Sequence, residues 1–251
     1  AQGVEVLLID ANGCEATFSN VLEDPEPLTI ATTVVSDYNG AQISCPGADN
    51  GQAVVDVEGG VFPYTYLWDD GSTGTHSNPD LGEGYAFVNA VDANGCIIQD
   101  SVLLEYPDTI QLSAQIDSDY SGYAISCFGY SDGAVSATGS GGSEPLYFWW
   151  NNFTDGPINN GISAGISTVY LTDANQCDTV SVSLDLIEPD PILFNDFILS
   201  DYNGYNVSCF GADDASAESS ASGGVGPYWI SWSNGDFDET LESVEAGTYT
   251  V

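Results

Sequence analysis

The sequence predicts an all-β fold made of tandem β-sandwich repeats, each about 82 residues long. Three observations predict it. Cys45, Cys127 and Cys209 are spaced by 82 residues (127−45 and 209−127). Asp10-Ala-Asn-Gly-Cys14 returns as Asp92-Ala-Asn-Gly-Cys96 and as Asp173-Ala-Asn-Gln-Cys177, while Ser36-Asp-Tyr-Asn-Gly40 returns from Ser118 and from Ser200. No segment has helical periodicity; short runs of Val, Ile, Thr and Tyr are separated instead by Gly, Pro and Asn. A fixed period marks one structural unit copied in tandem. Such arrays supply reach and surface more often than a single catalytic pocket.

The phase of the repeat divides the chain into the C-terminal part of one unit (1–25), full units at 26–107 and 108–189, and a truncated unit at 190–251. This phase leads us to expect a window on a longer array. Within the first full unit, Leu28–Ser36 is β-rich and Asp37-Tyr-Asn-Gly40 is a turn carrying the Asn-Gly hairpin signal. Ala41–Cys45 reads as a short returning strand and Pro46–Gly51 as a second turn. Gln52–Val57 alternates, placing Ala53, Val55 and Val57 on one face. Gly59-Gly60 breaks it, Tyr64–Trp68 is a strand entered through Pro63, and at most one short strand precedes Leu81. Tyr85–Val91 and Cys96–Leu104 are strands flanking the Asp92–Gly95 turn. Seven short strands in so few residues predict an immunoglobulin-like sandwich.

Six cysteines at fixed places in each unit predict a disulfide framework and an oxidising, extracellular compartment. If strand directions alternate from Leu28, Cys45 and Cys96 share one pole. The expected pairs are then Cys45–Cys96 and Cys127–Cys177, with Cys14 and Cys209 pairing outside the segment. The rival set links neighbours: Cys14–Cys45, Cys96–Cys127 and Cys177–Cys209. Each bridge contributes about 2–4 kcal/mol.

The chain has no Lys or Arg, 38 Asp plus Glu and one His, for a formal charge of −38. Its 43% hydrophobic content separates it from disordered acidic tails. Nothing in it neutralises phosphates, which excludes nucleic acid as a partner. No run of 18 apolar residues is present, so no membrane span is expected in this segment. Trypsin-like proteases find no cleavage site.

The pattern Cys-x-Gly, an Asp/Asn-Gly turn (here Asn50-Gly51), a Gly-Gly-x-x-Pro-Tyr-x-x-x-Trp segment, Gly-x-Tyr-x-Val and Asp-x-Asn-Gly-Cys resembles the SprB repeat. It stands here as Cys45-Pro-Gly47, Gly59-Gly60-Val-Phe-Pro63-Tyr64, Trp68 and Asp92–Cys96. In the third unit it stands as Cys209-Phe-Gly211, Gly223-Gly224-Val-Gly-Pro227-Tyr228, Trp232 and Gly247-Thr-Tyr249-Thr-Val251. The departures are Leu146 after Pro145, Gln176 before Cys177, and Asp214-Ala215 where Asp-Gly is usual. The resemblance implies a stalk segment of a large, secreted cell-surface adhesin of Bacteroidetes, exported by type IX secretion and in the namesake carried along the surface in gliding motility. Its implied partners are neighbouring repeats of the same chain, with surface polysaccharide or other adhesin subunits beyond them. No enzymatic activity is implied.

Three candidate sites follow from the residues. Asp37 with Asn39, Asp92 with Asn94, and Asp173 with Asn175 place a carboxylate beside an amide in a turn, an oxygen-rich arrangement that suits Ca²⁺ and equally a plain Asx turn. One face of the Pro-Tyr-x-x-x-Trp strand (Tyr64, Tyr66 and Trp68, with their copies) is apolar throughout and reads as core, the Trp packing near the disulfide as in immunoglobulin domains. The other face carries Tyr147, Trp149 and Trp229, aromatics able to stack on sugar rings. Beyond possible Ca²⁺ no cofactor is expected. His76, with no nucleophile at a recognisable spacing, reads as an exposed loop residue.

Overall fold

A computed structural model describes residues 2–251, which form seventeen strands and no helix; no helix is long and apolar enough to cross a membrane. A lone hairpin comes first, β1 (Gln2–Ile9) with β2 (Glu15–Leu22). The first full repeat follows as β3 (Thr29–Val34), β4 (Gly51–Glu58), β5 (Thr65–Trp68), β6 (Ser77–Leu81), β7 (Gly84–Val91) and β8 (Ile97–Leu104). The second repeats the order as β9 (Gln111–Ile116), β10 (Gly133–Ser140), β11 (Tyr147–Trp150), β12 (Ile158–Ile162), β13 (Gly165–Thr172) and β14 (Val180–Leu186). The third has β15 (Leu193–Ile198), β16 (Ala215–Ser222) and β17 (Thr240–Val244).

Each full repeat is two three-stranded antiparallel sheets. In the first, one sheet has the order β3-β4-β6 and the other β5-β7-β8; in the second they are β9-β10-β12 and β11-β13-β14. This is the immunoglobulin split of strands A, B and E against C, F and G, without strand D. The alternation read from sequence explains why the sheets close on each other. Ala53 and Val55 of β4, Trp68 of β5, Leu81 of β6, Ala86 and Val88 of β7, and Leu104 of β8 form one buried cluster. Val135, Ala137, Trp150, Val169 and Leu186 rebuild it in the second repeat. Each core tryptophan satisfies its indole N–H internally: Trp68 donates to the Thr75 carbonyl, Trp150 to Gly156 and Trp232 to Asp238.

Strand count is the main correction. Six strands replace the expected seven, because Ala41–Cys45 forms none. The Asn-Gly turn is real, with Asn39 at φ 53° and Tyr38 bridging Ala41. The chain does not return from it as a strand. The Ser36 hydroxyl donates to the Gln42 carbonyl, the Tyr38 hydroxyl to the Asn50 carbonyl, and the Asn50 amide to the Ser44 hydroxyl, knitting residues 36–50 into one compact loop at the end of β3.

The described residues fall into two compact units. One runs to Ile110 and takes in Gly141–Leu146 and Thr172–Asp178; the other comprises Gln111–Ser140, Tyr147–Leu171 and Thr179–Val251.

Candidate functional site

Within the first unit, the loop 36–50 meets the turn that starts at Asp173. The turn is built by its aspartate. Asp173 is fully buried; one carboxylate oxygen accepts the Cys177 N–H and the other the Ser143 N–H, at 3.1 and 3.0 Å. With the backbone so held, Asn175 projects its amide group into the loop. Its Nδ2 donates to the carbonyls of Tyr38 (3.1 Å) and Ser44 (3.0 Å) and to the Ser143 hydroxyl (3.0 Å), and its Oδ1 accepts from Asn39 Nδ2 at 2.7 Å. Two residues on, Cys177 is bonded to Cys45, with Cα atoms 5.3 Å apart across 132 residues of sequence. A disulfide and a four-partner asparagine therefore clamp the loop of the first repeat to a turn of the second.

This pairing corrects both expected sets. Cys45–Cys96 does not form because the loop 36–50 stays where β3 ends, which is also where β8 ends: Gln42 accepts the Glu105 N–H through its side chain, and the Cβ position of Gly51 lies 2.4 Å from Leu104. The Asp92 turn lies at the other end of the sandwich, where its carboxylate accepts the Val61 N–H at the exit of β4. The missing strand inverts the count of strand directions and puts the two cysteines at opposite poles. Cys127–Cys177 fails for the same reason. Cys14, Cys96, Cys127 and Cys209 are exposed free thiols.

The acidic turns use their oxygens internally. Asp92 accepts from the backbone of Asn94, Cys96 and Val61, and Asp10 from that of Asn12 and Cys14. These donors, led by the Cys96 and Cys14 amides, hold both carboxyls below the ordinary value of 3.8. Asp37 accepts the Gly40 N–H. Of the six residues considered for Ca²⁺, the structure joins Asn39 directly to Asn175, keeps Asp92 and Asn94 in one turn, and gathers no group of three His, Cys, Asp or Glu side chains suited to a metal among the described residues.

The aromatic candidates separate. Trp229 is 91% exposed and Tyr147 52%. Trp149 stacks on Tyr170 of β13, with ring centroids 5.5 Å apart and planes 13° from parallel. Tyr170 is the member of this platform that reading the β11 strand alone missed. Its signal was available in the outward phase of the Ser-Thr-Val-Tyr-Leu run of β13, between buried Val169 and Leu171.

Repeated sandwiches joined by a disulfide, in a chain without Lys or Arg, define a β-repeat protein. The family model of the SprB repeat matches residues 39–73 and 205–237. These two regions are similar to SprB repeats, and the matches start 166 residues apart (205−39), close to two periods. No curated protein matches the chain.

Proposed function

We propose that this chain is a non-enzymatic, load-bearing stalk segment of a large, secreted cell-surface adhesin, acting in surface attachment or gliding. The observation that carries the reading is the Cys45–Cys177 bond with its Asn175 fan. A covalent tie between one repeat and the next resists extension, and it is of little use to a solitary binding module. SprB repeats in cell-surface proteins support an extracellular location, and the Cys45–Cys177 bond would not persist in a reducing cytosol. The charge of −38 suits a chain that stays soluble in salty surroundings.

Pulling single molecules by their ends tests this. While the bond holds, the 132 residues it spans cannot lengthen the chain. Reduction is expected to release about 450 Å of additional contour length, at about 3.4 Å per residue. Equal contour lengths before and after reduction would show that the bond carries no load.

A second reading, an array of carbohydrate-binding modules, is favoured by exposed Trp229 and by the Trp149–Tyr170 platform. Binding to a polysaccharide array that disappears in Trp229→Ala and Trp149→Ala supports it; absence of binding by the unaltered chain removes it.

A further inference from the structure

In the second repeat a phenylalanine occupies a backbone position that suits glycine. Phe153 has φ 66°, and the residues one period away on either side are Gly71 at 90° and Gly235 at 92° (153−71 and 235−153). Positive φ is uncommon outside glycine and a genuine outlier for a bulky side chain. The surroundings pin the backbone there. The Phe153 N–H donates to the Trp150 carbonyl, the Trp150 N–H to the Thr154 carbonyl and the Asn151 N–H to the Thr168 carbonyl of β13, each at 2.9 Å. Asn159, itself buried, donates to Asn152 Oδ1 at 3.1 Å, and Asn151 Nδ2 donates to the Ile166 carbonyl at 3.1 Å. The first repeat builds the same turn around Gly71 with the matching bonds of Trp68, Asp69 and Gly71, so the turn needs no side chain at this position. The phenylalanine adds no burial either, its ring being 94% exposed. A strained residue that the fold does not use points to function.

The turn that carries Phe153 joins β11 to Asp155, and the sheet beside it departs from the first repeat in a second way. Trp149 pairs with Asp155 in an isolated antiparallel bridge and stacks on Tyr170 of β13, which pairs in turn with Ser181 of β14. Directly opposed residues share a face. Asp155, Trp149, Tyr170 and Ser181 therefore form one row across the outer surface, alternating along the strands with buried Trp150, Val169 and Leu171. Thr168 and Ser183 stand in the next row, their hydroxyls 2.9 Å apart. The matching row of the first repeat is Thr73, Leu67, Asn89 and Gln99, without an aromatic residue. The two rings of the second repeat, braced against each other, make an apolar surface that loses little freedom on binding. All these residues belong to the second compact unit.

We propose that the outer face of β11-β13-β14, with Phe153 at its edge, binds an uncharged polysaccharide by stacking hexopyranose rings on Trp149 and Tyr170. The apolar C–H face of a pyranose covers the aromatic surface. Its hydroxyls donate to the Asp155 carboxylate, a charge-assisted bond, and exchange hydrogen bonds with Ser181 and Ser183. Phe153 covers the flank of the bound chain. A uronate or sulfated sugar instead meets a chain of charge −38 that has no Lys or Arg to pair with it. A basic polypeptide would be drawn to any acidic part of the chain and has no need of the Trp149 row. The inference rests on the carbohydrate-binding reading and narrows it to one face of one repeat and to uncharged sugars.

The test is frontal affinity chromatography of the 251-residue chain at low and high salt. The columns bear a β-glucan, a galactan or a mannan as neutral probes, a polyuronate as the anionic probe, and chitosan or polylysine as cationic ones. We expect retention by a neutral polymer, unchanged by salt, and none by the polyuronate. Trp149→Ala should weaken that retention about tenfold. Phe153→Gly should weaken it several-fold and leave the melting temperature no lower, because glycine relieves the positive φ. Trp229→Ala should leave it unchanged.

Retention by no neutral polymer overturns this inference and the carbohydrate reading together. Retention unaltered by Trp149→Ala or by Phe153→Gly overturns the inference; if it falls instead with Trp229→Ala, the carbohydrate reading still stands. Retention confined to chitosan and polylysine and abolished by salt shows attraction to charge alone, and it too overturns the inference.

Discussion

Asn175 makes four hydrogen bonds with one side chain, three of them to groups of the loop 36–50. Alanine there leaves the Tyr38 and Ser44 carbonyls without that donor. We expect Asn175→Ala to destabilise the first unit by about 1–3 kcal/mol in denaturant unfolding with the disulfide intact. Aspartate is the sharper substitution, because it keeps the size but turns a donor toward carbonyls into an acceptor; Asn175→Asp should cost at least as much. Asp92 carries a pH prediction. The Cys96 amide and its companions depress its folded value, so its contribution is complete above the ordinary carboxylate value of 3.8 and is lost as pH falls through the lower folded value. The ordinary chain should therefore lead Asp92→Asn in melting temperature at neutral pH, and the gap should narrow below about pH 4. A gap independent of pH would show that the carboxylate charge is irrelevant.

The strands share one device at the exit of the second strand of each repeat. Gly59, Gly141 and Gly223 have φ between 75° and 78°, and a Cβ at each would lie 2.0–2.2 Å from the carbonyl oxygen of Pro27, Thr109 or Pro191. The clash is with backbone and cannot be relieved by a rotamer change. Gly59→Ala is expected to cost about 1–3 kcal/mol, seen as a lower denaturation midpoint, whereas Gly71→Ala, with positive φ but open space around its Cβ position, should cost less. The loop 36–50 illustrates the opposite case. Its hairpin signal was correctly legible at Asn39-Gly40, but a two-residue bridge at Tyr38 and Ala41 is all that follows. Side-chain bonds from Ser36, Tyr38 and Asn50 decide the rest, and such bonds leave no periodic trace in sequence.

For the whole molecule, charge and cross-linking set the expectations. Thiol titration of the unfolded, unreduced chain should count four free cysteines, and peptide mapping should give Cys45–Cys177; a Cys45–Cys96 peptide would contradict the clamp. Closing a loop of 132 residues contributes on the order of 5 kcal/mol on chain-entropy grounds. Divalent cations are expected to raise the melting temperature by screening a chain of charge −38. Because the turn carboxylates already accept backbone N–H groups, Ca²⁺ and Mg²⁺ at equal concentration should act alike. A calcium-specific rise would identify a site in the acidic turns.

The amino-acid sequence by itself determined the period, the all-β class, the lanes of nearly every strand and the identity of the core, because each depends on local alternation and on glycine or asparagine at turns. Ala53, Val55 and Trp68 were readable as inward positions and are buried. Tertiary structure alone decided the disulfide. Which pole a cysteine occupies depends on the parity of every strand before it, so one short segment, Ala41–Cys45, reversed the outcome. It also decided what Asp92 and Asp173 do, since Asp, Asn and Gly in a turn read alike whether their oxygens face a cation or the chain's own amides. Only the folded backbone brings the Val61 and Ser143 N–H groups to those oxygens.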